Sequence, residues 1–178
     1  MKTKYLKNLF FIGGLLMLFL GCQRDDICPE ATQTTPLMVV RFYDAEERDN
    51  PASPTNLSIR STVSDSIKTL YQRISVDSIL IPLRTDQNAT SYTFTIFDRD
   101  PEDEEDEEDE EFTPDTDTLT FTYGTEEIYV NRACAYKVIY NSLKLTIEGG
   151  EDGQWIDSYI IEEPNIEDET QAHINIFF

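Results

Sequence analysis

Basic residues, glycine, histidine and tryptophan are scarce in this chain, and the scarcities narrow the classes of function. Only 14 lysines and arginines face 35 aspartates and glutamates over 178 residues, a formal charge of −21. Such a surface repels phosphate backbones and anionic lipid head groups, so nucleic-acid binding is not expected, whereas cations and basic partners are favoured. The single histidine, His173, allows neither a paired-histidine mechanism nor a His-rich metal site. It opens the alternating stretch His173-Ile174-Asn175-Ile176-Phe177-Phe178 on the side opposite Ile174 and Ile176, where it is expected to face solvent. The seven glycines form no phosphate-cradling loop, and neither a nucleophile elbow nor a zinc-spaced cysteine set occurs. Paired carboxylates can cleave glycosides, but 35 acids nominate no pair and a chain of this length leaves little room for a cleft. The expectation is a non-enzyme with no catalytic residues, cofactor or metal site; a glycosidase or other hydrolase is the outlying alternative.

Long apolar runs are absent beyond the first turns of the chain. Met1 to Asn8 carries Lys2, Lys4 and Lys7, and Leu9 to Leu20 is apolar apart from Gly13 and Gly14. A basic n-region followed by a short apolar stretch reads as a secretory signal helix, too short for a comfortable membrane span. It ends Leu18-Phe19-Leu20-Gly21-Cys22. A small residue directly before a cysteine suits lipoprotein signal peptidase, because the thiol is acylated first and cleavage follows; Phe19 departs from the usual aliphatic residue. Cys22 is therefore the expected lipidation site and residues 1–21 the signal peptide, against a plain secretory leader with a chance cysteine. Cleavage leaves 157 of the 178 residues, one ordinary domain. It also removes three basic residues and no acid, taking the charge from −21 to −24.

With Cys22 acylated, Cys28 and Cys134 are the only remaining thiols. An exported pair usually bridges, closing a loop of 105 intervening residues worth about 4–5 kcal/mol in the chain-entropy model; two separately buried thiols are the alternative. Residues 22–36 read as a polar tether. Beyond them, β-branched and aromatic residues recur with period two. Candidate strands are Leu37–Tyr43, Leu57–Val63, Ile67–Ile74 (ambiguous, with a lean towards strand), Ser78–Leu83 interrupted by Pro82, and Tyr92–Phe97. Leu119–Tyr123 follows, then a turn at Gly124-Thr125, then Glu127–Tyr140 with Cys134 among its apolar even positions. Leu143–Ile147, a turn at Gly149–Gly153, Trp155–Ile161 and Ala172–Phe178 complete the set. No capped amphipathic helix of useful length intervenes. The fold expected is all-β, a single antiparallel β-sandwich of immunoglobulin-like or Greek-key type over residues 37–178.

The segment 98–117 reads as an acidic disordered loop, since Glu102 to Glu111 are ten acids in a row that repel one another. It lacks the spaced ligands and turn glycine of a specific calcium site, so weak Ca²⁺ binding is the most that it offers. Trp155 and the tyrosines could form a sugar-stacking platform, but aromatics in a small sandwich belong mostly to its core. The final alternating strand ending on Phe178 has a barrel-like terminus, yet most strands are shorter than the 9–11 residues that barrels use.

Several short stretches carry resemblances. Gln23-Arg24-Asp25-Asp26 resembles the lipoprotein export signal of Bacteroidota. Asp65-Ser66-Ile67, Asp77-Ser78-Ile79 and Asp117-Thr118-Leu119 resemble the O-glycosylation sequon of the same phylum, making Ser66, Ser78 and Thr118 candidate glycosylated hydroxyls. Asp25-Asp26-Ile27-Cys28, Thr35 to Asp44, Ala133-Cys134-Ala135-Tyr136-Lys137-Val138 and Gln171 to Ile176 together look like an uncharacterised Bacteroidota lipoprotein family, a domain of unknown function. That resemblance spans essentially the whole mature chain and implies neighbourhood to an outer-membrane β-barrel, hence a barrel partner; it carries over no catalytic or ligand residue. The combined expectation is an outer-membrane lipoprotein with a non-enzymatic, protein-interacting or structural domain. The runner-up is a surface-exposed carbohydrate-binding or adhesin-like module, and the membrane face is open between periplasmic and cell-surface.

Overall fold

The computed structural model describes residues 27–32, 34–62, 68–99, 113–151 and 153–178. The expected leader and signal helix, Cys22, the export-like signal, Ser66 and the block Glu102–Glu111 lie outside the described residues. Among those residues every regular element is a strand: β1 (Met38–Tyr43), β2 (Leu57–Ser61), β3 (Thr69–Ile74), β4 (Ser78–Ile81), β5 (Ala89–Ile96), β6 (Asp115–Asn131), β7 (Ala135–Glu148), β8 (Ser158–Ile161) and β9 (Ile174–Phe177). They form a four-stranded sheet ordered β4-β1-β9-β8 and a five-stranded sheet ordered β3-β2-β5-β6-β7. One pairing is parallel: β1 lies beside β9, with Val40 opposite Ile174 and Phe42 opposite Ile176.

The chain divides into two units. The larger comprises Gln33–Ile128 and Lys137–Phe178. Its core follows from the alternation of side chains across each strand. Val40 and Phe42 of β1 and Ile174 and Ile176 of β9 join Leu57, Ile59, Phe94, Leu119 and Phe121 of the other sheet in one buried cluster. Each fully buried side chain of this kind contributes about 1.5–3 kcal/mol. The outward positions of the five-stranded sheet are hydroxylic. Ser91 pairs with Thr120, and Thr95 with Thr116, each at 2.8 Å.

Tyrosines close the gaps between the two sheets. On β3, the Tyr71 hydroxyl donates to the Leu80 carbonyl of β4 (2.9 Å) and accepts from the Leu80 N–H (3.2 Å). At the other pair of edges, Tyr159 of β8 donates to the Leu145 carbonyl of β7 at 2.7 Å. Both contacts occupy edge backbone that would otherwise offer itself to another chain.

The smaller unit is Met1–Thr32 with Tyr129–Tyr136. Within it Cys28 and Cys134 are bridged, with S–S 2.00 Å and Cα–Cα 4.7 Å. Cys134 does not lie in a strand, as its place in the alternating series had suggested. It belongs to the turn 132–134 between β6 and β7. Asn131 makes that turn by accepting the N–H groups of Ala133 (2.9 Å) and Cys134 (2.8 Å) on Oδ1, a side-chain mimic of a backbone turn. Ala135 leaves it at a left-handed φ of 57°.

Other boundaries also differ from the expected ones. No turn occurs at Gly124-Thr125, because β6 runs through it. Gly124 instead leaves room for the neighbouring strand, where a Cβ would meet the end of the Asn141 side chain and oblige it to swing aside. The acidic segment ends earlier than 117, for β6 begins at Asp115 and pairs with β5 from that residue on. The tether is likewise shorter than 22–36: Pro36 is buried, and Thr35 Oγ1 accepts the Val138 N–H at 3.0 Å.

Candidate functional site

Three places stand out among the described residues, and the first two, like the buried Asp117, serve the fold. In the connection after β4, the carbonyls of Pro82, Leu83 and Arg84 accept from Tyr92 (2.6 Å), Tyr140 (3.0 Å) and Tyr123 (3.0 Å) respectively. These tyrosines come from the neighbouring strands β5, β6 and β7. Thr90 completes a closed ring: its Oγ1 accepts the Arg84 N–H (2.9 Å) and meets the Tyr123 hydroxyl (2.5 Å). Since Tyr123 donates to the Arg84 carbonyl, the Thr90 hydroxyl donates to Tyr123. Burial, reinforced by Tyr123, pushes Tyr92 up to about 12. Burial, reinforced by Tyr123 and Tyr92, also pushes Tyr140 up to about 12. These phenols are neutral donors, unsuited to proton transfer near neutrality.

A cleft of about 310 Å³ lies among Glu163, Asn165, Glu167, Asp168, Gln171 and His173. Its acids and histidine hold their own loop. Asp168 Oδ1 accepts the hydroxyl (2.6 Å) and N–H (2.8 Å) of Thr170, which hold its carboxyl below the usual range. Glu163 Oε1 accepts the Asn165 N–H at 3.0 Å. His173 is 1% exposed, contrary to the solvent-facing position expected of it. Its Nδ1 accepts the Val39 N–H at 2.9 Å, so the proton of the neutral ring sits on Nε2. Burial lowers its pKa against the opposing pull of Asp168 and Glu163. Protonation would set an N–H against the Val39 N–H, so this imidazole is a structural crosslink. Among the described residues no group of three or more histidine, cysteine or acidic side chains is arranged to hold a metal ion.

Asp117 is fully buried on β6, at the same parity as Leu119, Phe121 and Tyr123. Its Oδ2 accepts the Ile156 N–H at 3.0 Å, while its Oδ1 has no partner among the described residues. Burial raises its pKa, the Ile156 N–H lowers it and Asp115 raises it again. It fastens the segment before β8, where the Trp155 indole donates to the Phe94 carbonyl at 3.1 Å and sets its ring edge-on to Phe178 at 5.7 Å.

The third place is the disulfide-bonded unit. The three most exposed large apolar or aromatic side chains among the described residues are Ile27 (74%), Tyr136 (62%) and Tyr129 (58%), and all three belong to it. The two rings meet edge to face at 5.4 Å. From Cys22 onwards the unit carries Arg24 and Arg132 against Asp25, Asp26 and Glu30, a net charge of −1 in a chain of net charge −21. An exposed, uncharged aromatic pair beside a covalent crosslink is the feature best suited to contact another surface.

A family model matches residues 56–178, from just before β2 to the last residue. The chain belongs to DUF6452, a family of unknown function. No curated protein and no solved structure matches it. The DUF6452 match leaves out β1 and Cys28, although β1 lies between β4 and β9.

Of the residues singled out from sequence, Cys28 and Cys134 are brought together. Ser78 is exposed at the start of β4, beside a cleft of about 190 Å³ that it lines with Arg41 and Pro51. Thr118 is half-buried and pairs with Thr93. The Tyr129–Tyr136 pair escaped the sequence reading, which placed Tyr136 on an inward face. Its signal is the uncharged run from Tyr129 to Tyr136 around Arg132. Asp117 was legible as an acid on an otherwise apolar parity.

Proposed function

We propose that this protein is an outer-membrane-anchored lipoprotein whose non-enzymatic β domain binds another envelope protein, an outer-membrane β-barrel being the leading partner. The observation that carries this reading is the Cys28–Cys134 bridge. It suits an oxidising compartment and fastens the chain six residues after the expected lipidation site, Cys22. The lone histidine is a crosslink and the buried tyrosines are backbone anchors, which supports a binding role over catalysis. The two sheets form a Greek-key, immunoglobulin-like sandwich in this reading. Its support is the shared core, the four crossings between sheets and the parallel pairing of first and last strands. Ser78 and Thr118 are the hydroxyls offered for O-glycosylation, and the acidic block for weak Ca²⁺ capture.

The test begins with fractionation and mass spectrometry of the native protein beside a Cys22→Ala variant. Acylated protein in the outer membrane, released by the substitution, supports the anchor. Crosslinking in intact cells followed by purification then reads the partner: a stoichiometric barrel supports the proposal. Recovery of only the monomer counts against it. Protease treatment of unbroken cells fixes the membrane face, digestion placing the domain outside and protection placing it in the periplasm.

A further inference from the structure

We infer that the disulfide-bonded unit docks on the lipid bilayer itself, with Tyr129 and Tyr136 seated at the head-group level; this rests on the lipoprotein reading of Cys22. Cys28 lies six positions after Cys22, and six Cα steps span at most about 22 Å. The bridge holds the Cys134 Cα 4.7 Å from that of Cys28, and Tyr136 follows two residues later. A chain anchored by acyl groups at Cys22 therefore keeps Tyr136 within about 34 Å of the anchor at full stretch, a reach comparable to the hydrocarbon thickness of the whole bilayer.

The chemistry of the unit suits that location. Tyrosine is enriched at membrane–water interfaces because its ring is apolar and its hydroxyl is wet. Both rings are more than half exposed, and Ile27, the most exposed large apolar residue among those described, sits next to the bridge. The low charge of the unit matters equally. Much of this protein's surface would be repelled by anionic lipid, whereas from Cys22 onwards the unit carries only −1, Arg24 and Arg132 offsetting two of Asp25, Asp26 and Glu30.

The experiment uses the full-length lipidated protein reconstituted into phosphatidylcholine vesicles with bromine on the acyl chains. Tyr136→Trp and, separately, Tyr129→Trp each add one indole to the half-buried Trp155, whose emission in the unsubstituted protein is the control. Docking predicts that the added emission shifts to the blue and falls at least about twofold in brominated vesicles, while the Trp155 signal changes little. Added emission that stays unquenched in both variants, on protein that co-floats with the vesicles, overturns the docking and leaves the anchor standing; the pair is then free for a protein partner. Failure of the acyl-bearing protein to co-float, with Cys22→Ala behaving identically, overturns the anchor and the docking together.

Discussion

Breaking the hydrogen-bond ring at Arg84, Thr90 and Tyr123 tests whether the connection after β4 is held as the geometry indicates. Tyr123→Phe removes one oxygen and with it the donor to the Arg84 carbonyl and the acceptor of the Thr90 O–H proton; Thr90, 2% exposed, still accepts the Arg84 N–H. An orphaned buried polar group costs about 1–3 kcal/mol. Arg84 is only half-buried, so water recovers part of its loss, and the expected destabilisation is about 1.5–3 kcal/mol. Thr90→Val, nearly isosteric, orphans the Arg84 N–H and removes the donor to Tyr123, for a similar loss. The double variant lacks the Thr90–Tyr123 bond only once, whereas the sum of the single losses counts it twice. It should therefore fall short of additivity by about 1 kcal/mol. Urea unfolding of all four proteins measures this, with thermal midpoints moving by about 2–4 °C per kcal/mol at this size. Additivity within about 0.5 kcal/mol would falsify the ring as a cooperative unit.

Reduction of the Cys28–Cys134 bridge, or the double substitution Cys28→Ser with Cys134→Ser, should lower stability by up to about 4.7 kcal/mol for a separation of 106 residues. Differential scanning calorimetry with and without reductant reads this, and an unchanged midpoint would show that the bridge restrains nothing in the unfolded chain. The folded pKa of His173 lies below its ordinary value, so the unfolded chain takes up the proton first. Stability should then decline as pH falls below about 6.5, by at most about 1.4 kcal/mol per pH unit, until the folded pKa is passed. His173→Asn keeps an acceptor for the Val39 N–H, so it should flatten that slope; an unaltered slope would assign the proton elsewhere. Asp117 has the opposite sign: its raised pKa means that the buried charge costs stability at neutral pH and that acidification relieves the cost. Asp117→Asn should hold or raise the midpoint at pH 7, whereas Asp117→Ala should lose about 1–3 kcal/mol by orphaning the Ile156 N–H; equal losses would mean that the carboxylate charge itself is needed.

How much of this was legible depended on whether the information was local. Strands β1 and β5 could be read because Val40 and Phe42, or Tyr92, Phe94 and Ile96, fill one face of a single strand. Gly124 misled because a glycine ordinarily marks a turn, whereas here it makes room for Asn141 on the neighbouring strand. In β7 the buried set passes from Tyr140 to Leu143 and Leu145, changing parity. Ser142, at a left-handed φ of 55°, absorbs the extra residue as a bulge does. The misplacement of His173 has the same origin. Alternation put it on the face away from Ile174, but the chain from Glu162 onwards covers that face. Its backbone carbonyl accepts from both Glu162 and Glu163. The three tyrosine hydroxyls were invisible for a related reason, since their acceptors lie 10, 39 and 57 residues away.

The boundary of the DUF6452 match reflects sequence likeness, and the fold begins earlier. Residues 56–178 contain β4, β8 and β9, but within the four-stranded sheet β4 touches its neighbours only through β1. Without β1, the antiparallel register from Met38–Ile81 to Arg41–Ser78 has no partner strand. The parallel register from Val40–Ile174 to Tyr43–Phe177 is lost with it. The sheet would break into a lone β4 and the β8–β9 hairpin, with the core places of Met38, Val40 and Phe42 empty. His173 would lose the Val39 N–H that its Nδ1 accepts. The smallest segment that retains both sheets therefore starts near Thr35, whose hydroxyl already accepts from Val138. The four-stranded sheet is held through the first and last strands, β1 against β9, so neither strand can be trimmed as a dispensable arm.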